Sequence, residues 1–221
     1  MLIFADANHD VDVENFPRAK AEGPDGKGLD GFIAKASEGM DFKDSSFDYR
    51  AVEAPAATLL FGAYHYYQPG DDPIAQAQWF FNIVKNFMPM ALGIDLEPVG
   101  GEAQGKGWAA LTPDQNVANL KAFLAELKKW IKGGKLLIYA GADFIDRYLT
   151  GMDLSDDCLW VTDPSNDNPK VPKCWAGKGQ TWTLFQYSFT GNLPGIVGDV
   201  DLSRFMGDAT DFIDLLYCQE A

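Results

Sequence analysis

The sequence predicts an α/β fold, a single-domain flattened or incomplete (β/α)8-like barrel of the TIM type, on three observations. About eight short apolar runs with β-branched or aromatic content recur along the chain, and stretches with helical spacing separate several of them. The 221 residues, 47% of them hydrophobic, suit one domain with a large core. The later runs follow one another too closely for full helices between them, so the outer layer is not expected to repeat regularly.

Taken in order, the first run is Leu2 to Ala7. No basic segment precedes it and it is short, so it reads as a strand and not as a signal peptide. Phe32 to Ala36, Leu59 to Tyr67, Ala91 to Glu97, Lys135 to Ala140, Leu159 to Thr162, Thr181 to Tyr187 and Val200 to Phe205 follow. The helical candidates are Pro73 to Phe87 and Pro113 to Ile131. In the second, Thr112 is placed to cap and Pro113 suits the first turn. Val117, Leu120, Phe123, Leu124, Leu127 and Ile131 then recur at three and four residues until Gly133-Gly134. The glycine-rich segment Pro98 to Ala109 has few apolar anchors and is expected to be mobile. Nothing divides the chain, so residues 1–221 are taken as one domain. Residues 206–221 are expected to form a helical tail packed on it through Phe212, Leu215, Leu216 and Tyr217.

The charge balance is strongly acidic, with 32 Asp and Glu against 18 Lys and Arg and a net charge of −14. Phosphate backbones are bound by neutralising them with basic residues, so a nucleic-acid partner is not expected. No apolar stretch is long enough for a membrane span. Cys158, Cys174 and Cys218 are widely spaced and odd in number, which fits buried or free thiols; a Cys158–Cys174 bridge is the one pairing left open. No N-x-S/T acceptor occurs.

Chemistry is expected where strand ends converge on one mouth. Asp95 and Glu97 end the fourth run one residue apart, and side chains at i and i+2 of a strand share a face. Two carboxylates crowded on one face do not both ionise easily, which makes one a general acid. The other ends supply Asp6, Glu38, Tyr64 with Tyr66, Tyr139, Trp160, Gln186 and Asp201. Aromatic rings that stack on sugar faces beside carboxylates that move protons make a glycan site. Each residue has a plainer reading. Asp6 suits a cap, Glu38 an ion pair with Lys35, and Trp160 the core; of the alternating Tyr64-His65-Tyr66-Tyr67, one face should be core. Clustered carboxylates also suit hard cations, but His9 and His65 are the only histidines and the preferred reading needs no metal and no cofactor.

The ordered segments Phe4-Ala5-Asp6, Ile33 to Gly39, Phe61 to Tyr66, Gly93 to Glu97, Leu137-Ile138-Tyr139, Leu159-Trp160, Phe185-Gln186-Tyr187 and Val200-Asp201-Leu202 resemble glycoside hydrolase family 25, the Chalaropsis-type lysozymes. The resemblance runs from Met1 to about Phe205. It implies a flattened β/α barrel that cleaves the β-1,4 bond between N-acetylmuramic acid and N-acetylglucosamine in peptidoglycan. It also implies an active-site set of Asp6, Asp95, Glu97 and Asp201 with Glu97 as general acid, and a groove lined by Tyr64 and Tyr139. Ala5 stands where the family usually has Gly, Ser203 where it usually has Asn, and the segment after Trp160 lacks a common aromatic; these bear on subsite shape. The partner expected is the glycan strand of peptidoglycan, bound by a monomer. A phage lysin passing from host cytoplasm to wall, or a secreted wall enzyme, fits equally. A non-catalytic glycan-binding module and a glucosaminidase- or chitinase-like hydrolase are the competing readings.

Overall fold

The structure is a computed structural model that describes residues 1–99 and 107–215. Its elements run β1 (Leu2–Ala7), β2 (Asp12–Val13), α1 (Phe16–Glu22), β3 (Gly31–Glu38), β4 (Phe42–Lys43), α2 (Phe47–Ala56), β5 (Leu60–Tyr66), α3 (Pro73–Val84) and β6 (Ala91–Asp95). The second half adds α4 (Pro113–Lys128), β7 (Leu137–Ala140), α5 (Ala142–Tyr148), β8 (Cys158–Thr162), α6 (Lys173–Ala176), β9 (Leu184–Gly191), β10 (Ile196–Val197), β11 (Val200–Phe205) and α7 (Ala209–Ile213).

Eight of these strands close into a barrel in the order β1-β11-β9-β8-β7-β6-β5-β3, and β3 returns to pair with β1. The ring is therefore closed, and what is incomplete is the helical layer: α6 has 4 residues and no helix separates β9 from β11. That last connection has a consequence. A parallel crossover needs about a dozen residues or more, and the short link from Gly191 to Val200 instead turns the chain back, so β11 lies antiparallel to both β9 and β1.

Alternation along each strand sorts side chains into two cores. Phe4, Ile33, Ala91, Leu137, Cys158, Leu184 and Phe205 form the cluster inside the barrel. Their neighbours in sequence, such as Ala5, Phe32, Ala34, Leu92, Ile138 and Leu159, face the helices. Gly31 is part of this fit, because the ring of Phe4 lies 2.0 Å from where a Cβ would stand. Cys158 lies in the inner cluster while Cys174, on α6, borders the outer one; both are free, so the Cys158–Cys174 bridge does not form. Cys218 lies outside the described residues.

The helices start as their sequences dictate. Thr112 and Gln115 form a reciprocal capping box on α4 with Pro113 in the first turn, and Asp72 caps α3 by accepting from the Ala75 amide. Within the tail, Ala209–Ile213 form α7, capped by Asp208, which closes the barrel floor: Phe212 is fully buried, its ring 4.5 Å from Phe4 and 5.4 Å from Phe205, while Leu216 and Tyr217 lie outside the described residues. No helix among the described residues is long and apolar enough to cross a membrane.

Candidate active site

The mouth is made by the residues that stand above the inner core layer. Two positions beyond Phe4, Ile33, Leu137, Cys158 and Leu184 on the same strands come Asp6, Lys35, Tyr139, Trp160 and Gln186. On β6 the step is Ala91, Gly93, Asp95. A Cβ on Gly93 would lie 3.0 Å from the Tyr64 Cβ, so the glycine leaves space for the Tyr64 and Trp160 rings. The strand stops at Asp95, two residues short of the expected end, yet the alternation continues. Leu96 is buried outward and donates its amide to Tyr139 O at 2.9 Å, which returns Glu97 to the mouth. Trp108 holds the Glu97 carbonyl through its indole N–H at 2.9 Å and is itself fully buried. The expected mobile segment is thus anchored at this end; residues 100–106 lie outside the described residues.

Asp201 reaches the mouth by a different route from the one read in the sequence. It begins β11 rather than ending it, and the antiparallel direction brings that start to the rim, where Asp201 pairs in register with Asp6. Two carboxylates directly opposite on neighbouring strands repel, and Gln186 bridges them. Its Nε2 donates to Asp6 Oδ1 and Oδ2 at 3.1 and 3.2 Å and to Asp201 Oδ2 at 3.4 Å. The Tyr139 hydroxyl donates to Gln186 Oε1 at 2.7 Å and so fixes which end of the amide faces the acids.

These residues enclose a cleft of about 200 Å³ lined by Asp6, Tyr64, Asp95, Glu97, Tyr139, Trp160, Gln186 and Asp201, together with Asn8 and Phe189. Of the residues named from sequence, Glu38 and Tyr66 do not line it. Tyr66 donates its hydroxyl to Pro98 O at 2.9 Å, and Glu38 binds Lys35 at 2.7 Å and Gln68 at 2.8 Å. His65 faces the other way and is core: it stacks on Phe123 and meets Ser37 and Gln76, and burial lowers its pKa to about 3, leaving it neutral. Asn8 owes its place to the loop after β1, pinned by Arg50 on the Ala7 and Val11 carbonyls and by Asp44 on the His9 amide. Phe189 was not legible. Strict alternation from Gln186 sends it away from the mouth, and the pairing irregularity between β9 and β11 brings it to the cleft.

Electrostatically the mouth keeps protons. Burial, and then Asp201, holds the Asp6 carboxyl well above the ordinary carboxylate range, and burial, and then Glu97, does the same at Asp95. Glu97 is pushed up by burial and drawn back by Lys35, and Asp201 is pushed up to about 6 by burial and by Glu97. The crowded acids thus hold protons at a pH where free carboxylates have lost them. Trp160, 2% exposed, donates its indole N–H to Ser203 Oγ at 3.0 Å and supports the Tyr64 and Tyr139 rings edge-on. Among the described residues, no group of three or more His, Cys, Asp or Glu could hold a metal ion.

Residues 7–196 match the family described as Glycosyl hydrolases family 25. The chain belongs to glycosyl hydrolase family 25. Within it, the chain is 29% identical over 191 residues to Lysozyme M1 of Streptomyces globisporus, across 82% of this chain and 61% of that protein. It is 28% identical over 179 residues to the Autolytic lysozyme of Clostridium acetobutylicum, across 80% of this chain and 49% of that protein. The chain thus corresponds to about half to three fifths of these curated relatives. The family 25 barrel also superposes on the crystal structure of the bacterial lysozyme from Streptomyces coelicolor, with a TM-score of 0.81 at 26% identity over 97% of this chain and 96% of that one.

Proposed function

We propose that this family 25 protein is a muramidase that hydrolyses the β-1,4 bond between N-acetylmuramic acid and N-acetylglucosamine in peptidoglycan. The observation that carries the reading is the pair Asp95 and Glu97 at the cleft, facing the Gln186-bridged Asp6 and Asp201. Glu97 is the half-buried member of its pair and keeps its proton above the ordinary range. It delivers that proton to the leaving glycosidic oxygen. Asp201, which ionises above about pH 6, presents negative charge where the sugar ring becomes positive, with the Asp6 carboxyl held beside it in a geometry that Gln186 and Tyr139 fix in advance. The half-exposed Phe189 and the Tyr64 ring offer apolar faces to the sugars. The net charge of −14 supports a glycan partner over a nucleic acid. The site of action is then the cell wall, reached as a phage lysin or as a secreted enzyme.

The test is mass spectrometry of borohydride-reduced products after incubation with purified peptidoglycan. Muramitol-ended muropeptides are the expected products. N-acetylglucosaminitol ends would mean a glucosaminidase on the same barrel, and no released ends would mean a glycan-binding module.

A further inference from the structure

We propose that Lys35 is a positioning residue for the acid pair, a buried ammonium fixed from behind by Glu38 and Gln68 that sets the charge balance in which Asp95 and Glu97 act. Its kinetic consequence rests on the muramidase reading above; its placement rests on geometry.

Lys35 stands on β3 two residues beyond the inner-core Ile33 and pairs in register with Tyr64, which lines the cleft; Lys35 itself lies behind that lining. Its side chain is 9% exposed. A lysine so far from water is costly unless it is paired, and here the pairing is constructed. Nζ lies 2.7 Å from Glu38 Oε2, 4.8 Å from the centre of the Tyr66 ring and 5.5 Å from that of Phe42. The other Glu38 oxygen accepts from Gln68 Nε2 at 2.8 Å. Gln68 is in turn held at both backbone atoms by the buried Gln76, its amide donating at 2.9 Å and its carbonyl accepting at 2.8 Å. The ammonium is therefore clamped in place by a chain of hydrogen bonds that ends in the outer core.

What the clamped charge faces gives it a role. Tyr66, whose ring carries it, pairs in register with Asp95, and Asp95 Oδ1 is buried with no hydrogen-bond partner among the described residues. Lacking hydrogen bonds there, the Asp95 carboxylate depends on positive charge nearby. The groups around the pair are Asp6 on β1, Glu38 on β3, Tyr64 and Tyr66 on β5, Tyr139 on β7 and Asp201 on β11, with Asp71 and Asp41 beyond Glu38. All are acids or phenols. Lys35 draws both Asp95 and Glu97 back down against burial, and Glu38 acts on Asp95 in the opposite sense.

Removing one charge or the other must therefore shift Asp95 in opposite directions, and removing Lys35 must also raise Glu97. The experiment follows the side-chain carboxyls by 13C NMR titration, and the pH profile of peptidoglycan cleavage, in wild type, Lys35→Met, Lys35→Arg and Glu38→Gln. In Lys35→Met the Asp95 and Glu97 titrations and both limbs of the profile are expected to move up by about one pH unit. Glu38→Gln should move the Asp95 titration down, and Lys35→Arg should return both titrations close to wild type. Shifts of the same sign in Lys35→Met and Glu38→Gln, or none in either, would leave Lys35 a structural buttress and overturn the proposal. If Lys35→Met does not fold, Lys35→Gln takes its place, with the same upward shift expected and its absence overturning the proposal. Absence of cleavage by wild type counts against the muramidase reading and leaves the carboxyl titration to judge Lys35.

Discussion

At the floor of the barrel Phe4, Phe205 and Phe212 meet ring to ring, whereas two residues further along the strand that carries Phe4, Asp6 faces Asp201 across a strand pair. The two regions share strands, register and alternation. They differ in what the inward positions hold: the floor is apolar and closed by α7, and the mouth collects four carboxyls whose burial raises their pKa values. The difference separates the chemistry from what stabilises it. Burying crowded acids costs stability, and the aromatic floor offsets that cost where no substrate needs to reach.

Substitutions at the two ends should therefore fail in different ways. Glu97→Gln keeps the shape and removes the proton; turnover on purified peptidoglycan should fall by about 10³-fold or more while the melting temperature at pH 7 stays level or rises. Turnover near wild type in that variant would remove Glu97 from the mechanism. Phe212→Ala opens a cavity under Phe4 and Phe205 and should cost about 3–5 kcal/mol in chemical denaturation, with kcat little changed at a temperature where the protein remains folded. Equal losses of stability and of kcat would mean that the floor and the mouth are not separable. Tyr139→Phe removes the bond that orients Gln186 and leaves a buried amide oxygen without its donor. A loss of about 1–2 kcal/mol in kcat/KM is expected, and no change would show that Gln186 holds its orientation unaided.

The floor and the strands were legible because period-two burial is written directly in the residues; β1 and β11 fall where the apolar runs place them. Much of the mouth was legible for the same reason, since Asp95, Tyr139 and Gln186 end or interrupt apolar runs. Direction was not. In the sequence Asp201 reads as a strand end, and only the short return from Gly191 shows that it begins an antiparallel strand. Phe189 depends on a pairing irregularity that single-sequence alternation does not encode. Glu38 and Tyr66 share the rim's composition but face Lys35 and Pro98, because β3 loses its regular register after Lys35. Gln68, which fixes Glu38, comes from a loop with no periodic signal at all.

The claim that the mouth gives up stability to hold protons is tested most directly by the unfolding free energy of Asp201→Asn relative to wild type from pH 4 to pH 7. In the folded protein Asp201 titrates at about 6 against an ordinary value of 3.8, so between these values the native state binds the proton more tightly than the unfolded chain. Wild type must lose stability as pH rises through that window. The expected result is a difference near zero at pH 4 that grows through pH 6 and levels off at about 1–2 kcal/mol in favour of the asparagine. This figure is reduced for a carboxyl that partly faces solvent. A difference that is flat across the window, or that favours wild type at pH 7, would contradict the claim.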